Sequence, residues 1–301
     1  MNVYTLPNPR PLEIAIAKKW DKKFAQNTEW RQFTNGEWHL RVPHMLSEAI
    51  VLGRTEMPGD HIFQTLTLID TLKRNSAQRI TLILPYFGYS RHDRIVRTGD
   101  HLPADLLTKL FNRCGATRIV TVDLHSSITE KNSPLPISSI DFVPELVKAF
   151  KKVWRKKELL TIVSPDQGSK HRANAFRDLL DSSLPVCWLE KHRDPVTGKV
   201  HAHELFGVKR GTTALITDDI LDTGSTIEEC VRQLKIYGFK TFYLCVTHPI
   251  FSCTAVQTIR ALKFKHIFVS NTVPLSHKTQ MLPITIIDAF PALVATLRTF
   301  L

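Results

Sequence analysis

At 301 residues, 43% apolar and 23% charged, the chain has room for two domains with separate cores and contains no low-complexity tract. No apolar run is long enough to cross a bilayer, and the first ten residues have neither the charged start nor the apolar core of a signal peptide, so no membrane role is expected. The net charge of +12 leaves nucleic acid or polyanionic small molecules as partners, but the densest cluster (Lys151, Lys152, Arg155, Lys156 and Lys157 around Trp154) reads as a solvated helix face, and no nucleic-acid module accompanies it.

In chain order, helical periodicity over 63–77 precedes an apolar strand over 79–87. A helix over 102–114 follows, closed by Gly115, and then a strand over 118–125. Further helices are predicted at 141–154, 170–180 and 225–237, the last closed by Gly238. The strands among and after them fall at 159–166, 186–190, 213–218, 241–247 and 266–271. The segment 290–301 predicts a helix with Leu293, Leu297 and Phe300 on one side. Strands alternating with helices imply an α/β fold with mostly parallel sheets. The lysine-rich stretch marks a boundary, giving domains over 1–150 and 151–289, with the last helix free to return to the first domain. The five cysteines (Cys114, Cys187, Cys230, Cys245, Cys253) are odd in number and lack a Cys-x-x-Cys pair, which points to reduced thiols in the cytoplasm and no structural zinc.

In open α/β sheets, functional residues gather beyond the carboxyl ends of the strands. Four predicted strands end in such chemistry: Pro-Tyr-Phe-Gly-Tyr-Ser-Arg-His-Asp-Arg (85–94), Val-Asp-Leu-His (122–125), Ser-Pro-Asp-Gln-Gly-Ser (164–169) and Asp-Asp-Ile-Leu-Asp-Thr-Gly-Ser-Thr (218–226). The last combines a strand, a short polar loop and a helix start. Free amides, hydroxyls and the helix dipole favour a phosphate there. Asp218 and Asp219 would repel that phosphate and suit sugar hydroxyls or a cation instead, so the loop reads as a sugar-phosphate site.

These motifs together resemble the ribose-phosphate pyrophosphokinase (phosphoribosyl-pyrophosphate synthetase) family from about residue 33 onward. The resemblance implies two phosphoribosyltransferase-like domains, each a mostly parallel sheet flanked by helices. It also implies transfer of the β,γ-pyrophosphoryl group of ATP to the C1 hydroxyl of ribose 5-phosphate, with Mg²⁺ as cofactor. No Walker A loop is present, since Gly168-Ser169-Lys170 lacks the spacing.

By the same resemblance, Arg91, His92, Asp93 and Arg94 form an ATP loop, with His92 where the family has glutamine. Two guanidiniums flanking a carboxylate suit a triphosphate. Phe33, Asn35 and Glu37 match an adenine-binding turn that family members insert into a neighbouring subunit, with Asn35 in place of aspartate, which implies a homo-oligomer with a shared active site. Asp218, Asp219, Asp222, Thr223, Gly224, Ser225 and Thr226 match the ribose 5-phosphate loop, and His125 and Asp166 match metal ligands. Lys191 and Arg193, which open a long polar loop (194–203), match a Lys-x-Arg pair that family members carry on a mobile loop and use in catalysis. Residues 42–62 depart from the family, reading Met45-Leu46-Ser47-Glu48 and Met57-Pro58-Gly59-Asp60. The alternatives are a phosphoribosyltransferase, against which the ATP-loop arginines and the Lys191/Arg193 pair count, and a noncatalytic regulatory homologue, which would be expected to have lost one of them.

Overall fold

A computed structural model describes residues 2–21, 23–43, 47–155, 158–193 and 200–300, with 191–193 and 200–203 described through their backbone. Lys156, Lys157, Met45 and Leu46 therefore lie outside the described residues, as does most of the 194–203 loop. The chain divides into two compact units, one of residues 1–141 with 290–301 and the other of residues 142–289.

The first unit contains β1 (Asn2–Thr5), α1 (Pro11–Trp20), β2 (Glu29–Gln32), β3 (Trp38–Arg41), β4 (Glu48–Leu52), α2 (Asp60–Arg74) and β5 (Arg79–Leu84). They are followed by α3 (Pro103–Cys114), β6 (Arg118–Val122), α4 (Ser127–Asn132) and β7 (Ile137–Ile140). The five-stranded sheet has the order β1-β4-β5-β6-β7, with every neighbouring pair parallel. Runs such as Ala49–Leu52 and Leu82–Leu84 are buried because a parallel sheet is covered on both faces. Helix α3 stops at Gly115, whose φ of 117° is open to glycine and whose added Cβ would meet Lys73 side-chain atoms at 2.8 Å.

The β2–β3 hairpin was not predicted. Its residues are mostly polar and exposed, so alternation is weak. Trp30 and Leu40 alone pack on the core, and Trp30 Nε1 donates to the Thr5 carbonyl at 3.0 Å. At the carboxyl end of β4, Arg54 forms a buried ion pair with Glu13 of α1, Nε donating to Oε1 at 2.7 Å, which anchors the start of the loop after that strand.

The second unit contains α5 (Val143–Lys151), β8 (Leu160–Ser164), α6 (Lys170–Leu180), β9 (Val186–Arg193), β10 (Val200–Gly207), β11 (Thr213–Leu221) and α7 (Ser225–Ile236). Then come β12 (Thr241–Pro249), α8 (Ala255–Ala261), β13 (His266–Ser270) and β14 (Ile284–Ile287), after which α9 (Phe290–Leu297) returns to the first unit. The seven-stranded sheet runs β10-β9-β8-β11-β12-β13-β14, with β10 antiparallel to β9 and the rest parallel.

Several predicted boundaries move, among them α2, which stands at Asp60–Arg74, and three have a clear physical cause. Helix α5 belongs to the second unit, so the divide falls at 141/142 and not at 150/151. Its apolar stripe (Val143, Leu146, Val147, Phe150) outweighs the lysines that follow, and the Phe150 ring meets Phe176, Tyr243 and Phe268 edge-on. Strand β9 continues past Glu190 to Arg193 because β10 pairs with it, Lys191 opposite His203 and Arg193 opposite Val200. Strand β11 continues past Asp218 to Leu221 because β12 runs on beside it, Ile220 opposite His248 and Leu221 opposite Pro249.

Candidate active site

Most of the predicted site residues fall on loops that follow strands, whereas Asp218 and Asp219 lie within β11 and Lys191 and Arg193 within β9. In the first unit, the loop after β5 lies against Thr55, just past β4. Gly88 N–H donates to Thr55 Oγ1 at 2.7 Å, and Thr55 Oγ1 donates to the Tyr86 carbonyl at 3.1 Å. An added Cβ at Gly88 would lie 2.6 Å from the Thr55 carbonyl oxygen, so only glycine permits this approach. The loop then turns outward, leaving Arg91, His92 and Arg94 exposed, with the His92 ring 5.2 Å from that of His101. Asp93 faces inward. Burial raises the pKa of its carboxyl, but hydrogen bonding from Ser126 and the charge of Arg94, whose Nε lies 3.3 Å from Oδ1, outweigh that and hold it below the usual range. Two guanidiniums thus project around an ionised carboxylate that keeps the loop in place.

Ser126 also caps α4, accepting from Ile128 N–H at 3.1 Å. It joins the Arg91–Arg94 loop to the segment bearing His125. Asp123 there takes the left-handed φ of 38°, which aspartate tolerates better than most residues. Ser126 and Thr55 were missed in the sequence. The Ser126-Ser127 pair before Ile128 is a legible helix start, whereas nothing local marks Thr55.

Phe33, Asn35 and Glu37 form the tip of the β2–β3 hairpin and are exposed, Phe33 by 43%. The tip is ordered from within: Asn35 Oδ1 accepts from Glu37 N–H at 3.1 Å, Phe33 N–H donates to the Glu37 carbonyl at 2.8 Å, and Gly36 has a φ of 91°. The Arg31 guanidinium lies 5.5 Å from the centre of the Phe33 ring. The turn therefore presents a rigid aromatic face away from the core.

In the second unit, strand order reverses at β8, with β9 on one side and β11 on the other. Open sheets bind ligands at such a switch point. Strand β8 pairs with β11 as far as Val163 opposite Ile216. The Asp166–Ser169 turn follows β8 there, and Asp218 and Asp219 lie further along β11. Ser169 bridges the two, its N–H donating to Asp166 Oδ1 at 2.8 Å and its Oγ to Asp218 Oδ1 at 3.5 Å.

Asp218, read from the sequence as the start of the sugar-phosphate loop, lies within the strand and is buried, with 8% of its surface exposed. Burial, followed by repulsion from Asp219 and Asp166, raises its pKa well above the ordinary range, against the hydrogen bond from Asp219 N–H at 3.0 Å. Crowded carboxylates are relieved by a cation, and an all-oxygen donor set suits Mg²⁺, which commonly takes one or two carboxylates and leaves other positions to water and phosphate. Among the described residues, no three His, Cys, Asp or Glu side chains are grouped to hold a metal by themselves.

Beyond β11, the chain turns at Asp222 and Thr223 into α7. Gly224 occupies the N-cap with φ 83° and has no side chain to cap the helix, Ser225 N–H donates to Thr223 Oγ1 at 3.4 Å, and Glu228 N–H donates to the Gly224 carbonyl at 2.8 Å. Thr223 Oγ1 and Ser225 Oγ lie 3.0 Å apart at the mouth, with Thr226 half-exposed behind them. Helix α7 is fixed by Ile227, Cys230, Val231 and Leu234, of which the three aliphatic side chains each contribute roughly 1.5–3 kcal/mol on burial. The loop can therefore be chemically specialised without packing demands of its own. Lys191 and Arg193 lie two residues apart on the backbone of β9.

The chain matches the profile of the N-terminal domain of ribose phosphate pyrophosphokinase over residues 1–115 and that of the phosphoribosyl transferase domain over 145–273. It is 31% identical to the ribose-phosphate pyrophosphokinase of Halalkalibacterium halodurans, covering 97% of this chain and 91% of that protein. Identity to the Bacillus subtilis protein of the same name is 32%, covering 83% and 78%. The crystal structure of phosphoribosylpyrophosphate synthetase from Mycobacterium smegmatis matches with a TM-score of 0.90 and 29% identity, covering 99% of this chain and 98% of that one.

Proposed function

Because this chain belongs to the ribose-phosphate pyrophosphokinase family, we propose that it transfers the β,γ-pyrophosphoryl group of ATP to the C1 hydroxyl of ribose 5-phosphate, giving phosphoribosyl pyrophosphate and AMP. The observation that carries this reading is the β8/β11 switch point, where the paired carboxylates Asp218 and Asp219 precede a helix N-terminus with glycine at its N-cap. An anion site next to a hydroxyl or cation site is what a sugar phosphate requires.

In this reading, Thr223–Thr226 take the 5-phosphate through amides and hydroxyls, and Asp218, Asp219 and Asp222 serve the sugar side of the loop. Arg91 and Arg94, with Asp93 between them, take the triphosphate, and Phe33, Asn35 and Glu37 take the adenine of a neighbouring subunit in a homo-oligomer. The exposed aromatic tip of the hairpin supports that last assignment. His125 in the first unit and Asp166 in the second are assigned to Mg²⁺, which when bound supplies charge screening for the phosphates. Lys191 and Arg193 stabilise the spread negative charge of the transition state, the main requirement of such transfers. All five cysteines are free, which accords with a cytoplasmic enzyme, and no helix among the described residues is long and apolar enough to cross a membrane.

The test is product analysis with ATP, Mg²⁺ and ribose 5-phosphate. AMP should form only when the sugar phosphate is present, whereas ADP would indicate ordinary kinase transfer and overturn the reading. Lys191→Ala and Arg193→Ala should each lower kcat by roughly 10²–10³-fold with little change in the KM for ATP. Loss of affinity with kcat intact would make the pair a binding element.

A further inference from the structure

The segment that follows β12 is tied to the base of the Asp222–Thr226 loop. Ile250 N–H and Phe251 N–H both donate to the Leu221 carbonyl, at 2.8 and 3.1 Å, and Ser252 N–H donates to the Asp222 carbonyl at 3.2 Å. The Ser252 hydroxyl then donates to Asp222 Oδ1 at 2.5 Å. Both neighbours of Ser252 are left-handed without being glycine, Phe251 with φ 49° and Cys253 with φ 52°. Such conformations persist only where the surroundings impose them, and they concentrate at functional sites. Phe251 is held by packing on the apolar core of its unit. Helix α8, which opens just after this strap, places Thr258 and Ile259 side-chain atoms 3.5 Å from where a Cβ on Gly224 would be. Strap and helix together back the loop from Leu221 to Gly224.

The loop has a chemical reason to need this support. Asp222 carries a negative charge immediately before the amides and hydroxyls that would read a phosphate. Aspartate ahead of a helix start readily turns its carboxylate onto amides two or three residues further on, where it would compete with the ligand. The Ser252 hydroxyl, which belongs to the strap and not to the loop, gives the carboxylate a charge-assisted partner and favours one orientation.

We propose that Ser252 is a positioning residue for ribose 5-phosphate, acting through Asp222 to keep that carboxylate off the phosphate cradle. The proposal rests on reading residues 218–226 as the sugar-phosphate loop. Ser252→Val, which removes the hydroxyl, should raise the KM for ribose 5-phosphate by roughly tenfold, the effect of losing a hydrogen bond to a charged group. The KM for ATP and the melting temperature should stay near wild type, and Ser252→Thr should restore the KM. Since the hydroxyl acts through the carboxylate, adding Ser252→Val to Asp222→Asn should change little further.

Additive effects of those two substitutions would overturn the proposal, as would a fall in melting temperature with equal loss for both substrates. An unchanged KM in Ser252→Val, alongside a raised KM in Thr226→Val, would refute the role of Ser252 and leave the loop reading standing. An unchanged KM in both would overturn the loop reading, and the proposal with it. If Ser252→Val does not fold, Ser252→Ala against Ser252→Thr makes the same comparison.

Discussion

Asp218 is stabilised as a neutral acid by the protein around it, although the proposed chemistry needs a carboxylate there. Burial, then Asp219 and Asp166, raise its pKa in the folded state above that of the unfolded chain. The native state therefore holds the proton to higher pH. Stability is fully present below the unfolded pKa and is lost as pH rises through the folded one. In metal-free buffer, Asp218→Asn should raise the melting temperature at about pH 8, and the gain should vanish below about pH 4, where both states bind the proton. A gain of equal size at both pH values would mean that charge is not the cause. The same variant should lose ribose 5-phosphate use, a conflict between stability and function expected where a site concentrates like charges. The pair Asp218-Asp219 was legible as chemistry from its place at a strand end. Its burial was not, because that depends on β12 running on beside β11, a pairing that no local pattern announces.

Among the elements, the loop after β5 offers the sharpest test of how the fold positions a ligand group. Gly88 lies so close to Thr55 that an added methyl must push the two strand ends apart. Gly88→Ala should cost about 1–3 kcal/mol of stability and raise the KM for ATP, with the KM for ribose 5-phosphate nearly unchanged. Equal changes in both constants would show that the loop does not serve ATP in particular. Where apolar periodicity was strong, as in α3, α6 and α7, the helices stand within a residue of expectation, and Gly115 and Gly238 both take positive φ. Some of the missed elements are ones that patterning cannot reveal, whereas the short apolar runs of β1 and β4 were legible and were not read as strands. The β2–β3 hairpin is largely exposed, and β10 is an edge strand, paired among the described residues with β9 alone. Helix α5 went to the wrong side of the divide because charge was weighed over the apolar face that Phe150 completes.

For the whole molecule, residues assigned to ATP lie in the first unit and those assigned to the sugar phosphate in the second, while the hairpin tip faces outward with Phe33 exposed. If that tip completes the site of a second copy, the smallest active species is a dimer. Mixing a Phe33→Ala, Glu37→Ala chain with an Arg193→Ala chain should restore part of the activity that each lacks, since some hybrid sites are intact. Full activity from a demonstrated monomer would contradict a shared site. The central claim is that β- and γ-phosphates move together onto the sugar. It is tested most directly by supplying ATP labelled separately at the β- and at the γ-phosphate, with Mg²⁺ and ribose 5-phosphate, and following each label. Both should appear in the sugar product in equal amounts, matched one for one by AMP. Transfer of the γ label alone, with the β label left in ADP, would contradict the account.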